Sequence, residues 1–374
     1  MKPTVYLDYN ATAPARPEVI QIMSEAMQSA HNASAVHQSG RAGRKYVEDA
    51  REIIGSLVNL PPAQIIFNSG ATEGNNTVLR HFAEHYPDEQ ILVSAIEHPS
   101  VLETIPNATH IPVTKDGIID LDALEQLLQT KTAIVSTMWV NNETGIIQPI
   151  KEISDLAHKH GSLLHVDGVQ AAGRIETDMP ANGIDFMTLS AHKLGGAQGI
   201  GALCLGLCGV TPTLLHGGGQ EKSARAGTEN VAGIAGFGKA AELAKQELLD
   251  YQANLNELNT KLRKALAGLN GIKIFGENNE RVDNTTLISL PGISSETLLM
   301  AFDLEGIAIS NGSACSSGKV EPSHVLKAMN ESDETASGAL RISTGWNTKA
   351  EDIEIFIATF EKIYARMKDK ISAP

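Results

Sequence analysis

Three apolar, strand-like runs in the 374-residue sequence end on residues that can do chemistry. "MTLSAHKLGG" ends on Lys193, with Ser190 and His192 before it and glycines behind. "LLHVDGVQ" ends on Asp167, and "IIFNSGATEGNN" passes through a small-residue turn into the start of a helix. An amine at the end of a buried strand either reaches out to water or serves as a nucleophile. A carboxylate there is costly unless something cationic meets it. At Gly70, Ala71 and Thr72, backbone N–H groups and a hydroxyl can face an anion, helped by the helix dipole. The same turn also reads as an ordinary helix cap.

Pyridoxal phosphate uses all three features: a lysine for the Schiff base, a carboxylate on the pyridinium nitrogen and a phosphate cradle. On that reading Lys193 holds the aldehyde carbon and moves protons, Asp167 keeps the ring nitrogen protonated, and Thr72, Ser190 and His192 hold the phosphate. His98 in "IEHPSV" either lies flat on the ring or is a hydrogen-bonded histidine at a strand end. Asn142 in "VNNETG" and Gln170 can meet the ring hydroxyl or the substrate. Cys315 sits in "SNGSACSSGKV", among small polar residues where a packing cysteine is not expected. It reads as a nucleophile that must travel, or as an incidental exposed thiol. Cys204 and Cys208 lie in an apolar strand and read as packing.

The elements that must position these residues alternate. "RKYVEDAREIIGSLV" places Val47, Ala50, Ile53, Ile54 and Leu57 at helical spacing. "QIIFNS", "ILVSAI", "AIVSTMWV", "SLLHVDGV", "DFMTLSA" and "GALCLG" read as buried strands, with helices such as "IKEISDLAHKHG" between several of them. This pattern predicts an α/β fold, its mainly parallel sheet covered on both faces, with ligands outside the carboxyl ends of the strands. A stripe of Leu243, Leu248, Tyr251, Leu255, Leu258, Leu262 and Leu266 predicts one long helix bridging to a second domain. That domain closes with an amphipathic helix carrying Ile353, Phe356, Ile357, Phe360 and Ile363. The expected division is a large domain over 16–255 and a smaller α+β domain over 256–374, joined by segment 1–15 and carrying the cysteine loop 310–320.

The composition, 42% hydrophobic and 20% charged, is that of a globular chain. A net charge of −14 without any basic run argues against direct nucleic-acid binding. The most apolar stretch, "GIGALCLGLCGVTPTLL", is broken by glycines and a proline, which argues against a membrane span. Three cysteines make no disulfide framework, and "MKPTVYLDYN" has no signal-peptide core, so a cytoplasmic location is expected. No glycine fingerprint opens the first βα unit, which argues against a nucleotide-binding oxidoreductase.

Nine motifs in order give the chain a resemblance over essentially its whole length: "YLDYNATAP", "SGATEGNN", "EHPSV", "VNNETG", "HVDGVQ", "SAHKLGG", "HGGGQEKSARAGTEN", "SNGSACSSGKVEPSHVL" and "LRISTGWNT". It resembles the cysteine desulfurases of the NifS/IscS-like group, within the class V aminotransferase family of fold-type I pyridoxal-phosphate enzymes. The resemblance implies that Lys193 carries the cofactor as a Schiff base, Asp167 pairs with the pyridine nitrogen and His98 stacks on the ring. It implies phosphate binding by Ala71, Thr72, Ser190 and His192, and ring contacts from Asn142 and Gln170. It also implies that Thr228 reaches the phosphate of a partner subunit in a homodimer, and that Asn142 and Arg341 bind substrate, Arg341 by the carboxylate. Cys315 is implied to take sulfur from L-cysteine as a persulfide, leaving alanine, from a loop of the long, mobile subgroup type. The persulfide passes to an iron–sulfur scaffold or another acceptor protein. No intrinsic metal is implied, though Cys315 can contact an iron–sulfur cluster in passing. The chain stops at "KDKISAP", without the longer tail that housekeeping members use to dock the scaffold, and "HNASAVHQSG" lacks the family's usual proline after the asparagine. A selenocysteine lyase or a class V aminotransferase is the alternative within the family, although transamination needs no nucleophilic cysteine. A non-catalytic sulfur carrier is the alternative outside it, against which the lysine, aspartate and phosphate cradle argue.

Overall fold

The six runs read as strands become neighbours in one sheet. The computed structural model describes residues 5–311 and 322–368. In chain order the strands are β1 (Val5–Tyr6), β2 (Ile65–Asn68), β3 (Gln90–Ser94), β4 (Thr109–Ile111), β5 (Thr132–Met138) and β6 (Leu163–Asp167). They continue with β7 (Phe186–Ser190), β8 (Gly201–Leu205), β9 (Lys273–Ile274), β10 (Thr285–Ser289), β11 (Ile307–Ala308) and β12 (Ala339–Ser343). The main sheet runs β2-β8-β7-β6-β5-β3-β4. It is parallel from β4 through β7, and β8 lies antiparallel to both β7 and β2. Every residue of β2, β5, β7 and β8 is buried, as expected of a sheet covered on both faces. The short edge strand β4 was not legible as a strand; its three residues, Thr-His-Ile, carry no periodicity.

Alternating residues feed two apolar cores, one on each face. Ile65, Phe67, Leu92 and Leu164 pack with Val47, Ile54 and Phe237. Ile66, Val93, Ile134 and Phe186 pack with Val78, Leu79 and Phe82 of the helix Ala71–His85. Cys204 lies in β8 and is buried, whereas Cys208 lies beyond the strand's end, a correction to its expected place. Burial pushes both thiols above the ordinary cysteine range, which suits packing and disfavours thiolate chemistry.

The single long helix expected over the leucine stripe is two helices, Val231–Gln246 and Leu248–Ala267. The break falls at Glu247, whose carboxylate accepts from Arg16 Nη1 at 2.7 Å. Arg16 in turn lies 5.1 Å over the Trp346 ring, so contacts distant in sequence fix the bend. Below it, Leu255, Leu258, Leu262 and Leu266 join Phe302, Phe356 and Phe360 in a third core, which also takes in Val5 and Leu7 from the start of the chain. The antiparallel sheet β12-β10-β9 and the parallel pair β1-β11 belong to this part. The expected boundary between residues 255 and 256 falls inside the helix Leu248–Ala267.

Candidate active site

The neighbouring parallel strands β7, β6, β5 and β3 deliver their carboxyl ends to one edge of the sheet, and a cavity of about 750 Å³ opens there. Ala71, Thr72, His98, Asn142, Asp167, Gln170, Ser190, His192, Lys193 and Arg341 all line it. Strand ends explain most of that convergence: β6 stops at Asp167, and β7 stops at Ser190 before a tight turn over Ala191–Lys193. Arg341 arrives from β12, on the other side of the cavity.

Lys193 Nζ donates to the carbonyl oxygens of Asn10 and Ala11 at 2.6 and 2.7 Å, which holds the amine against the N-terminal segment. Asp167 is 6% exposed; its Oδ2 accepts from Asn75 Nδ2 at 2.9 Å and its Oδ1 from the Val169 N–H at 3.0 Å. Asn75 Nδ2 also donates to Ser100 Oγ at 2.9 Å, and both the N–H and the hydroxyl of Ser100 cap His98 Nδ1. Nδ1 therefore acts as the acceptor of this ring. Asn75 and Ser100 thus link the carboxylate to the histidine.

The helix Ala71–His85 begins at Gly70 with no side-chain cap, leaving its first N–H groups to the cavity. Gly70 has φ +147°, a conformation only glycine adopts easily. A Cβ on Gly201 would sit 2.7 Å from Gly70 Cα and 2.5 Å from the Leu189 oxygen, so the turn closes tightly over β8. Ser190 and His192 line the same cavity. Burial, and then the charge of Lys193, push the His192 imidazole down to about 4, so it meets the cavity as a neutral ring. Amine, buried carboxylate and a dipole-assisted anion cradle on one cavity form a donor set that fits pyridoxal phosphate.

Arg341 Nη2 donates to Asp8 Oδ1 at 2.8 Å and Nη1 to the Asn142 oxygen at 3.1 Å. Thr228 does not line this cavity; it is exposed and borders an adjoining hollow of about 190 Å³ that shares Ser69 and Gly199 with it. Cys315 lies outside the described residues.

Several residues of the site went unread in the sequence. Asn75 lies one helical turn after Ala71, and only that spacing could have marked it. Asn10 carries Lys193 and Gln170 on its carbonyl, and its side chain bridges the Asn142 oxygen to Thr285 Oγ1. Glu97 is fully buried beneath His98, with Oε1 accepting from the Met138 N–H at 2.6 Å. Burial, and then the nearby Asp167 charge, raise its carboxyl well above the usual carboxylate range. Glu143 is likewise raised, first by burial; Ser323 donates to it and His324 stands 4.0 Å away at the cavity wall.

The class-V aminotransferase family matches residues 5–356. A cysteine desulfurase, IscS, of Dictyoglomus turgidum is 38% identical over 98% of this chain and 96% of its own. A NifS-like protein of Rickettsia africae superposes with a TM-score of 0.90 at 37% identity, over 97% of this chain and 99% of that one. The protein SspA, solved in complex with cysteine, gives 0.78 at 29% identity, over 91% of this chain and 98% of its own.

Proposed function

Since the chain belongs to the class-V aminotransferase family, we propose that it is a pyridoxal-phosphate-dependent cysteine desulfurase. It converts L-cysteine to L-alanine and moves the sulfur onto an enzyme cysteine as a persulfide, supplying iron–sulfur cluster assembly or other sulfur-containing cofactors. The observation that carries this reading is the convergence of Lys193, Asp167 and the Gly70–Thr72 turn on one cavity.

Bound there, pyridoxal phosphate supplies an electron sink for charge developing at the substrate carbon. Lys193 would be the residue that holds the cofactor by its aldehyde, and its amine would move the proton at the substrate Cα. Asp167, fixed by Asn75 and Val169, would accept the hydrogen bond from the ring nitrogen. Ala71, Thr72, Ser190 and His192 would hold the phosphate, and His98, Asn142 and Gln170, which line the same cavity, would contact the ring. Arg341 grips the substrate carboxylate with its planar fork, and Asn142 borders the same end. Cys315, as thiolate, attacks the substrate sulfur. The S–S bond forms as the C–S bond breaks, and the electron pair of that bond stays with carbon, which is protonated to give alanine.

The N-terminal segment and residues 256–374 form the smaller domain on this reading; Val5 and Leu7 inside the third core support it. A cytoplasmic homodimer completes each site with the partner's Thr228. The exposure of Thr228, and its absence from the lining of the cavity of its own chain, support that arrangement. The sulfur acceptor on this reading is an iron–sulfur scaffold or another acceptor protein.

The test is incubation with L-cysteine and a reductant, with alanine and sulfide quantified for wild type, Lys193→Ala and Cys315→Ala. Equal amounts of both products from wild type and neither from the variants is the expected result. Both products from Cys315→Ala would remove the cysteine from the mechanism and leave a lyase acting directly at the cofactor.

A further inference from the structure

The loop between β8 and the helix Val231–Gln246 contains three consecutive non-glycine residues with positive φ: Glu221 (+46°), Lys222 (+57°) and Ser223 (+67°). A left-handed run of this kind persists only where the surroundings over-determine it. Two ion-pair tethers help to do so here, beside the bond that Lys222 Nζ donates to the Ala63 oxygen at 2.8 Å.

The first is a buried pair. Arg51 Nη1 and Nη2 donate to Glu221 Oε2 and Oε1 at 2.7 and 2.8 Å, with both side chains 4% exposed. β2 is an edge strand, so its outer backbone groups lack a neighbouring strand. Glu221 Oε2 accepts from the Phe67 N–H at 2.9 Å and Arg51 Nη1 donates to the Ile65 oxygen at 2.6 Å. The ion pair therefore finishes the sheet edge with the loop attached to it. The guanidinium also lies 4.9 Å over the Phe67 ring.

The second tether sits on the other side of the Gly70 turn. Arg225 Nε donates to Glu73 Oε1 at 2.9 Å, and Glu73 Oε2 accepts from the Ser69 N–H at 2.9 Å. Burial alone would raise the Glu73 carboxyl, but the hydrogen bonds from Arg225 and Ser69 outweigh it and hold the group below its ordinary value. The loop is thus fastened to the strand entering the Ser69–Thr72 turn and to the helix leaving it.

We propose that Arg51 with Glu221, and Arg225 with Glu73, are positioning residues that make the 216–230 loop and the Ser69–Thr72 turn one unit, so that a phosphate monoester held at the turn also orders the loop. This rests on the reading of that turn as the phosphate cradle. Arg51, Glu221 and Arg225 do not line the cavity, and Glu73, which borders it, is engaged by Arg225 and the Ser69 N–H; both pairs act through the turn.

The experiment compares wild type with E73Q, R225Q and E73Q/R225Q, whose tether is only partly buried and whose loss the fold should survive. Dissociation constants are read from visible absorbance for pyridoxal 5′-phosphate and for pyridoxal, which lacks the phosphate. The rate of trypsin cleavage after Lys222 is followed in the holoenzyme. The expected result is about tenfold weaker binding of the phosphorylated ligand in each single variant, the scale of one charge-assisted hydrogen bond, with no change for pyridoxal. Cleavage after Lys222 should speed up, and the double variant should be no worse than either single one, because the two residues act as a pair. Equal weakening for both ligands, or no weakening, overturns the proposal, since a general structural role does not distinguish them. Wild type that binds the two ligands equally removes the phosphate-cradle reading, and the proposal with it.

Discussion

His165 lies on β6, two residues before Asp167, and joins three adjacent strands: Nδ1 meets Ser136 Oγ of β5 at 2.8 Å and Nε2 meets Thr188 Oγ1 of β7 at 3.0 Å. It is fully buried, and both partners are hydroxyls that bring no charge to offset an imidazolium. Burial pushes its imidazole down to about 3 from 6.5. A histidine depressed in the folded state adds stability above its unfolded value and loses it as pH falls toward the folded one. Between about pH 7.5 and about pH 4.5 the unfolded chain takes up this proton and the folded chain does not, a loss of about 3 kcal/mol from this one residue. His165→Gln removes the titrating group and keeps a polar side chain for the two hydroxyls. Wild type should be the more stable near neutral pH, and its advantage should shrink by about 3 kcal/mol at the acid end. Urea unfolding followed by far-UV circular dichroism, run on both proteins in parallel, lets the other acid-sensitive groups cancel. An advantage that stays constant across the range would mean that His165 titrates normally in the folded protein, and the burial argument would be wrong.

Glu97 gives the opposite sign: a carboxyl raised on folding contributes stability that is present below its unfolded value of 4.5 and lost as pH rises through the folded value. Glu97→Gln, neutral throughout and still able to accept from Met138, should therefore gain in melting temperature over wild type on going from mildly acidic to mildly basic buffer. A constant difference would show that the carboxyl is ionised in place. Asn75→Ala leaves Asp167 and Ser100 each short of a donor and should weaken retention of pyridoxal phosphate by about 1–3 kcal/mol, read as loss of visible absorbance on dilution. Gly201→Ala drives a Cβ into fixed backbone at Leu189 and Gly70 and should cost about 2 kcal/mol or more in unfolding free energy. Gly219→Ala, whose Cβ meets only Ser223 Oγ at 3.8 Å, should cost far less in the same measurement. On the proposed substrate role, Arg341→Lys loses the two-pronged grip and should raise KM for L-cysteine about tenfold or more without changing the cofactor spectrum.

What the sequence determined by itself was local. A run of β-branched and apolar residues that stops on Asp167 or Ser190 specifies both a buried strand and where it ends. Because parallel strands put their carboxyl ends on one edge, Lys193, Asp167, His98 and Asn142 were legible as neighbours before any coordinates. The glycine at position 70 marked the turn, since no other residue takes its φ without strain. Tertiary structure decided what depends on partners far apart in the chain. Asp8 and Arg341 meet across 333 positions, and Asn10 supports Lys193 across 183. The helix break at Glu247 follows from Arg16, and the left-handed run at Glu221 from Arg51. The charge states of Glu97, His165 and His192 were equally illegible, because a side chain's ionisation is set by how much water it loses and which charges surround it. Residue type and spacing record neither.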